Sequence, residues 1–146
     1  MPRRHFAVSE IEALIPQLEA TFARILQLRA GMRGFEQKLE AAGVDVDVDE
    51  DGNEGETPEI AETRAMFRGY YEALSESLEG IRTLGGDVKD LDLALVDFPA
   101  RRGDQDILLC WRLGEKRIQF WHTAEEGFAG RKPIDSGMTH TPQRLD

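Results

Sequence analysis

One cysteine, Cys110, is all the sequence holds, so no disulfide can form within the chain and no CxxC pair is available for metal or redox chemistry. No segment approaches the roughly 18 consecutive apolar residues of a membrane span, so no membrane partner is expected. The opening Met1–His5 is basic but no apolar stretch follows it, so no secretory signal is expected either. Together these absences predict a cytoplasmic protein. Basic residues are also scarce: 18 Lys and Arg stand against 28 Asp and Glu, for a net charge of −10. That balance argues against sequence-independent binding to nucleic acid or to an anionic membrane.

The negative charge is concentrated in one place. Eight acidic residues and no basic one lie between Asp45 and Glu59. Within this run Asp47, Asp49 and Asp51 precede Gly52, matching the opening of a calcium-binding loop between two helices. The match then breaks, because position twelve is Pro58 and Glu59 comes one residue late. A solvated acidic linker is the plainer reading, with weak divalent-cation binding as the alternative.

What remains is strongly patterned. Ser9, Glu10, Ile11 and Glu12 read as a capping box that opens a helix. Ile11, Leu18, Ile25, Met32 and Leu39 recur seven apart, with Leu14, Leu28 and Phe35 beside them, as in a coiled-coil seam. Pro16 predicts a kink or a short first helix, and Gly43 a stop. Thr57 and Pro58 announce a second helix, in which Ile60, Phe67, Leu74 and Ile81 again fall seven apart before Gly85 and Gly86 end it. Two such stripes predict a long antiparallel helical hairpin over residues 9–85. Ile15, Phe22, Leu26, Met66 and Tyr71 form extra apolar positions, which predict packing on a sheet or on a second copy, and hence a homodimer through the helices.

After Gly86 the period shortens. Leu91–Phe98, Asp106–Leu113 and Lys116–His122 read as strands, the first ending at Pro99 and the last two joined by a turn at Gly114 and Glu115. The expected class is α+β: the hairpin packed on a short three-stranded antiparallel sheet over residues 91–131. Residues 1–132 are expected to form a single domain and 133–146 a disordered tail.

The segments Asp90–Arg102, Leu109–Glu115, Phe120–His122 and Gly127–Arg131 are distinctive. With His5, Phe6 and the Glu10–Pro16 stretch, they resemble an uncharacterised bacterial family, DUF2203. The resemblance implies a stand-alone bacterial protein and carries no activity, substrate or catalytic residue.

Three kinds of chemistry are open to the C-terminal half. Asp97, Arg101, Arg102, Trp111, Trp121, His122 and Arg131 could wall and charge a ligand pocket, with Trp121, His122 and Arg131 converging on it. The plainer reading makes the tryptophans packing residues and the arginines surface ion pairs. His122 and Glu126 stand four apart, and with Asp97 they would supply nitrogen and oxygen donors for a divalent metal. The plainer reading is a histidine hydrogen-bonded to a carboxylate. Cys110, in an apolar strand, reads as a small buried hydrophobe, and as a nucleophile only with His122 as its base. No organic cofactor is expected. The leading reading of function is a non-enzymatic interaction or regulatory module with a protein partner, followed by a small-ligand binder or enzyme, and then a metal protein.

Overall fold

A computed structural model describes residues 4–45 and 56–135. A short helix α1 (Val8–Glu12) and two long helices, α2 (Ile15–Ala41) and α3 (Pro58–Leu84), precede strands β1 (Asp87–Asp90), β2 (Leu95–Arg102), β3 (Gln105–Arg112), β4 (Phe120–His122) and β5 (Lys132–Pro133). The strands form one antiparallel sheet in sequence order. The class is therefore α+β with two long helices, but among the described residues the sheet has five strands, not three. These residues divide into two compact units, one running up to Phe22 and from Gly80 onward, the other Ala23–Glu79.

The Ala23–Glu79 unit is a helix pair. Tyr70 meets Phe35 edge-on at 5.1 Å, and its ring closes over Gly31, where a Cβ would lie 2.3 Å away. Further along, Arg64 pairs with Glu56 at 2.6 Å and reaches the carbonyl of Asp45. Numbers that rise on one helix meet numbers that fall on the other, so the helices run antiparallel. Their ends carry the expected signals. The Thr57 hydroxyl accepts the Ile60 amide, and Pro58 occupies the first turn, where a missing N–H is harmless. At the end of α2, Gly43 takes φ +73°, Gly43 donates to the Glu40 carbonyl and Val44 to that of Leu39. Ile25, Leu39, Phe67 and Leu74 are buried, while Leu26, Met66 and Tyr71 are exposed.

In the other unit the core-facing side of the sheet carries Val96, Phe98, Leu109 and Trp111, all buried. Phe22 of α2 packs against Trp111 at 5.9 Å, and Phe6 against Phe98 at 5.3 Å. The exit from α3 is fitted closely to this layer. A Cβ on Gly85, whose φ is +105°, would lie 2.4 Å from the Phe6 ring, and one on Gly86 would lie 2.7 Å from Val96. Pro16 sits in the first turn of α2, after a break that leaves α1 five residues long, as the proline predicts.

Several local readings need correction. Ser9 is not the cap: Ala7, two residues earlier, takes that place, Glu10 reaches back to the Ala7 amide, and Glu12 instead accepts the amide of Ile118. Residues 91–94 form a turn rather than a strand, because the Asp90 carboxylate takes the Leu93 amide and Ala94 adopts φ +52°. β2 then runs through Pro99 instead of ending there. The Pro99 carbonyl accepts the Phe6 amide, so its nitrogen also faces that side, beyond the end of β1, and no ladder bond to β3 is lost. The tight hairpin turn lies at Gly103–Asp104 between β2 and β3, with φ +61° at the glycine. Residues 113–119 are a longer loop, held where Trp111 Nε1 donates to the Glu115 carbonyl and the Glu115 carboxylate accepts the Arg112 amide. Lys132 and Pro133 extend the sheet by one residue into the expected tail, and residues 136–146 lie outside the described residues.

Candidate functional site

The β2–β3 turn at Gly103–Asp104 fixes a register in which Asp97 stands opposite Cys110 and Pro99 opposite Leu108. Across the next ladder Cys110 faces Phe120, and Leu108 faces His122. These two adjacent rows lie on the side of the sheet away from Trp111, because side chains alternate along each strand. Asp97, Cys110 and His122 thus share one face, and all three are buried, 3%, 1% and 2% exposed. Their donor atoms lie within 4.8 Å of one another.

Hydrogen bonding defines this group further. His122 Nδ1 is 2.7 Å from the carbonyl oxygen of Thr123. A carbonyl only accepts, so Nδ1 carries a proton. Nε2 then points at Asp97 Oδ1 across 3.1 Å. Its lone pair would meet a carboxylate unless a proton or a metal ion stands between them. Burial and the adjacent Asp97 carboxylate push the Cys110 thiol up to about 12. That value removes Cys110 as a nucleophilic thiolate in the metal-free protein. The three side chains line a cavity of about 230 Å³, also walled by Lys89, Gly127 and Phe128.

The other sequence candidates are dispersed. Glu126 does not join His122: it is exposed, and its bonds to Lys132 and Thr123 hold its carboxyl below the ordinary range. The two are not on one helical turn, because His122 ends a strand. Trp111 is core, and Trp121 faces the opposite side of β4 from His122, stacked by Arg102 and Lys132. The expected convergence of Trp121, His122 and Arg131 therefore does not occur. Arg131 lies over Phe120 and Phe128 and donates to both oxygens of Glu115, at 2.9 and 2.8 Å. Arg102 pairs with Asp135. Arg101 faces Asp106 in a second cavity. Asp47, Asp49 and Asp51 lie outside the described residues.

Cys110 is the member of the trio that sequence reasoning left out as a ligand. The signal was present in the chain: a two-residue turn at Gly103–Asp104 pairs residues whose numbers sum to 207, and 97 and 110 are such a pair.

The family described as "Uncharacterized conserved protein (DUF2203)" matches residues 4–134. No curated protein and no solved structure matches the chain. No helix among the described residues is long and apolar enough to cross a membrane.

Proposed function

Because the chain belongs to the DUF2203 family, whose description names no activity, we propose a function from its side chains: it binds a divalent transition metal through Asp97, Cys110 and His122, with a further position open to the cavity. One observation carries this reading. His122 gives its Nδ1 proton to a backbone carbonyl and aims Nε2 at a carboxylate, with a thiol in reach of both. Metal-binding histidines are held in this way, their other ring nitrogen donating to a carbonyl. A mixed nitrogen, sulfur and oxygen set suits zinc-class ions. Ligands about 2.0–2.3 Å from a tetrahedral ion lie roughly 3.3–3.8 Å apart. The histidine–aspartate separation of 3.1 Å is near that, and the thiol has to close by about 1.5 Å at most. Three protein ligands beside a cavity leave a place for water or a small ligand, unlike a closed four-ligand structural site.

The plainer reading is a buried histidine–carboxylate pair that only supports the fold. Elemental analysis of protein purified without chelator separates the two, followed by titration with Zn²⁺ and Co²⁺. Stoichiometric metal and a thiolate-to-cobalt charge-transfer band, lost in C110S, support the metal centre. Protein free of metal, with a melting temperature unmoved by either ion, leaves only the structural pair.

A second reading, an interaction module that self-associates through its helices, is favoured by Leu26, Met66 and Tyr71, each more than two-fifths exposed. Sedimentation of the wild type against a variant with all three changed to Gln tests it. A wild-type dimer that becomes a monomer in the variant supports it, and a wild-type monomer at every concentration ends it. The lone buried thiol, kept reduced, suits a bacterial cytoplasm.

A further inference from the structure

A second cavity of about 400 Å³ adjoins the one lined by Asp97, Cys110 and His122, and the two share Lys89, Leu108 and Ala124 as walls. His5, Arg101 and Asp106 line it from the far side. The backbone bond from Phe6 to Pro99 brings His5 there, and the β2–β3 register sets Arg101 opposite Asp106.

The polar groups in this cavity are layered and incompletely matched. His5 is innermost, with its side chain 10% exposed, then Arg101 at 21%, then Asp106 at 78%. Asp106 Oδ1 lies 3.2 Å from His5 Nε2 and 3.5 Å from Arg101 Nε. One exposed carboxylate thus covers two more deeply set groups and satisfies them incompletely, since Arg101 Nε and His5 Nδ1 remain buried without a hydrogen-bond partner among the described residues. The only hydrogen bond the Arg101 guanidinium makes among the described residues is a long one, 3.4 Å to the Asp104 carbonyl. Arg131 also has a buried, unmatched Nε, but its guanidinium is already taken by both oxygens of Glu115. A guanidinium presents a planar fork of donors that an oxyanion fills with two oxygens, which Asp106 does not achieve at this distance. Lys89, on the wall common to both cavities, is held by Asp87 and leaves half its side chain exposed.

We propose that this cavity binds a small organic anion, its carboxylate or phosphate group displacing Asp106 from Arg101 and His5, and its remainder extending past Lys89 and Leu108 toward His122. The anion half stands on the cavity, on the unmatched Arg101 Nε–H and on the His5 Nε2 that Asp106 now covers. Only the approach of the far end to a metal rests on the function proposed above.

The test uses the full chain, metal-free and zinc-loaded, at constant ionic strength set with chloride. Binding of succinate, inorganic phosphate and the uncharged succinamide is measured by calorimetry and melting temperature. Succinate or phosphate binds and succinamide does not, and the better of the two identifies the acid group. R101Q weakens that binding at least tenfold while leaving zinc uptake unchanged. D106N, which removes the internal competitor but keeps the side chain's shape, tightens it severalfold. C110S loses zinc and keeps anion binding to the metal-free protein. Anion binding without zinc uptake upholds this inference and removes the metal centre. Zinc uptake with neither anion bound, by the wild type or by D106N, overturns the inference and leaves the metal centre standing. Anion binding indifferent to both R101Q and D106N also overturns it.

Discussion

Asp97 and Cys110 face each other across the β2–β3 ladder, each almost wholly buried, so that a carboxylate and a thiol share a small space with the His122 ring. Two polar side chains in register within a sheet cost desolvation, and the hydrogen bond from His122 offsets part of it for Asp97. The consequences can be measured one residue at a time.

Replacing Asp97 with Leu leaves His122 Nε2 facing an apolar side chain. In metal-free protein this costs about 1.5–3 kcal/mol, the range for a buried bond to a charged group. Asn at the same position costs less, because it still offers an oxygen. Urea unfolding in the presence of chelator reads both. A double-mutant cycle with H122Q assigns the coupling; additive effects would show that the two residues do not act as a pair.

Cys110 gives the protein an alkaline limit. Its folded value is raised to about 12 from an ordinary value of 9.0, so the folded state holds the thiol proton more tightly than the unfolded chain. The contribution to stability is complete below pH 9 and falls as pH rises from there toward 12. The difference in unfolding free energy between wild type and C110A, measured without metal, therefore shrinks with rising pH across that window. A pH-independent difference would rule the thiol out as its source.

Trp111 anchors the core face of the sheet. Trp111→Ala removes the ring that packs on Phe22 and costs about 3–5 kcal/mol. Trp111→Phe keeps most of the packing but loses the indole bond to the Glu115 carbonyl, for about 1 kcal/mol. Its faster amide exchange is confined to residues 113–119, and uniform change across the sheet would contradict this account.

Two glycines separate backbone strain from collision. Gly43 and Gly85 both take positive φ, +73° and +105°, but a Cβ on Gly43 meets nothing among the described residues and one on Gly85 strikes the Phe6 ring. Gly43→Ala costs about 1–2 kcal/mol from the left-handed backbone alone. Gly85→Ala adds about 1–3 kcal/mol of overpacking. In an F6A background that extra cost disappears, as denaturation of the four single and double variants will show.

Much of the helical half is legible in the sequence because its signals are local. Thr57, Pro58 and Gly43 act on their own backbone within a few residues, and the sevenfold spacing of Ile25, Leu39, Phe67 and Leu74 needs only one helix at a time. The sheet is less legible for the opposite reason. β1 is charged and four residues long, and β5 has two residues, so neither has a pattern to read. Residues 116–119 look like the start of a strand because Ile118 alternates with Phe120 and leads into it, yet side-chain bonds from Trp111 and Glu115 decide the course of the loop. Asp97 and His122, singled out in the sequence by residue type, stand 3.1 Å apart. Glu126 is misplaced because sequence separation stood in for geometry, and Cys110 becomes visible only once the register is known.

The amide of Phe6 on the Pro99 carbonyl guards the far half of β2, which no strand among the described residues covers at that side. Open ribbon margins template growth by other chains. A protease that trims the first seven residues would uncover this margin, and the remnant would become prone to stacking into fibrils on standing. The few residues before α1 therefore govern how long the molecule stays dispersed as much as how it folds.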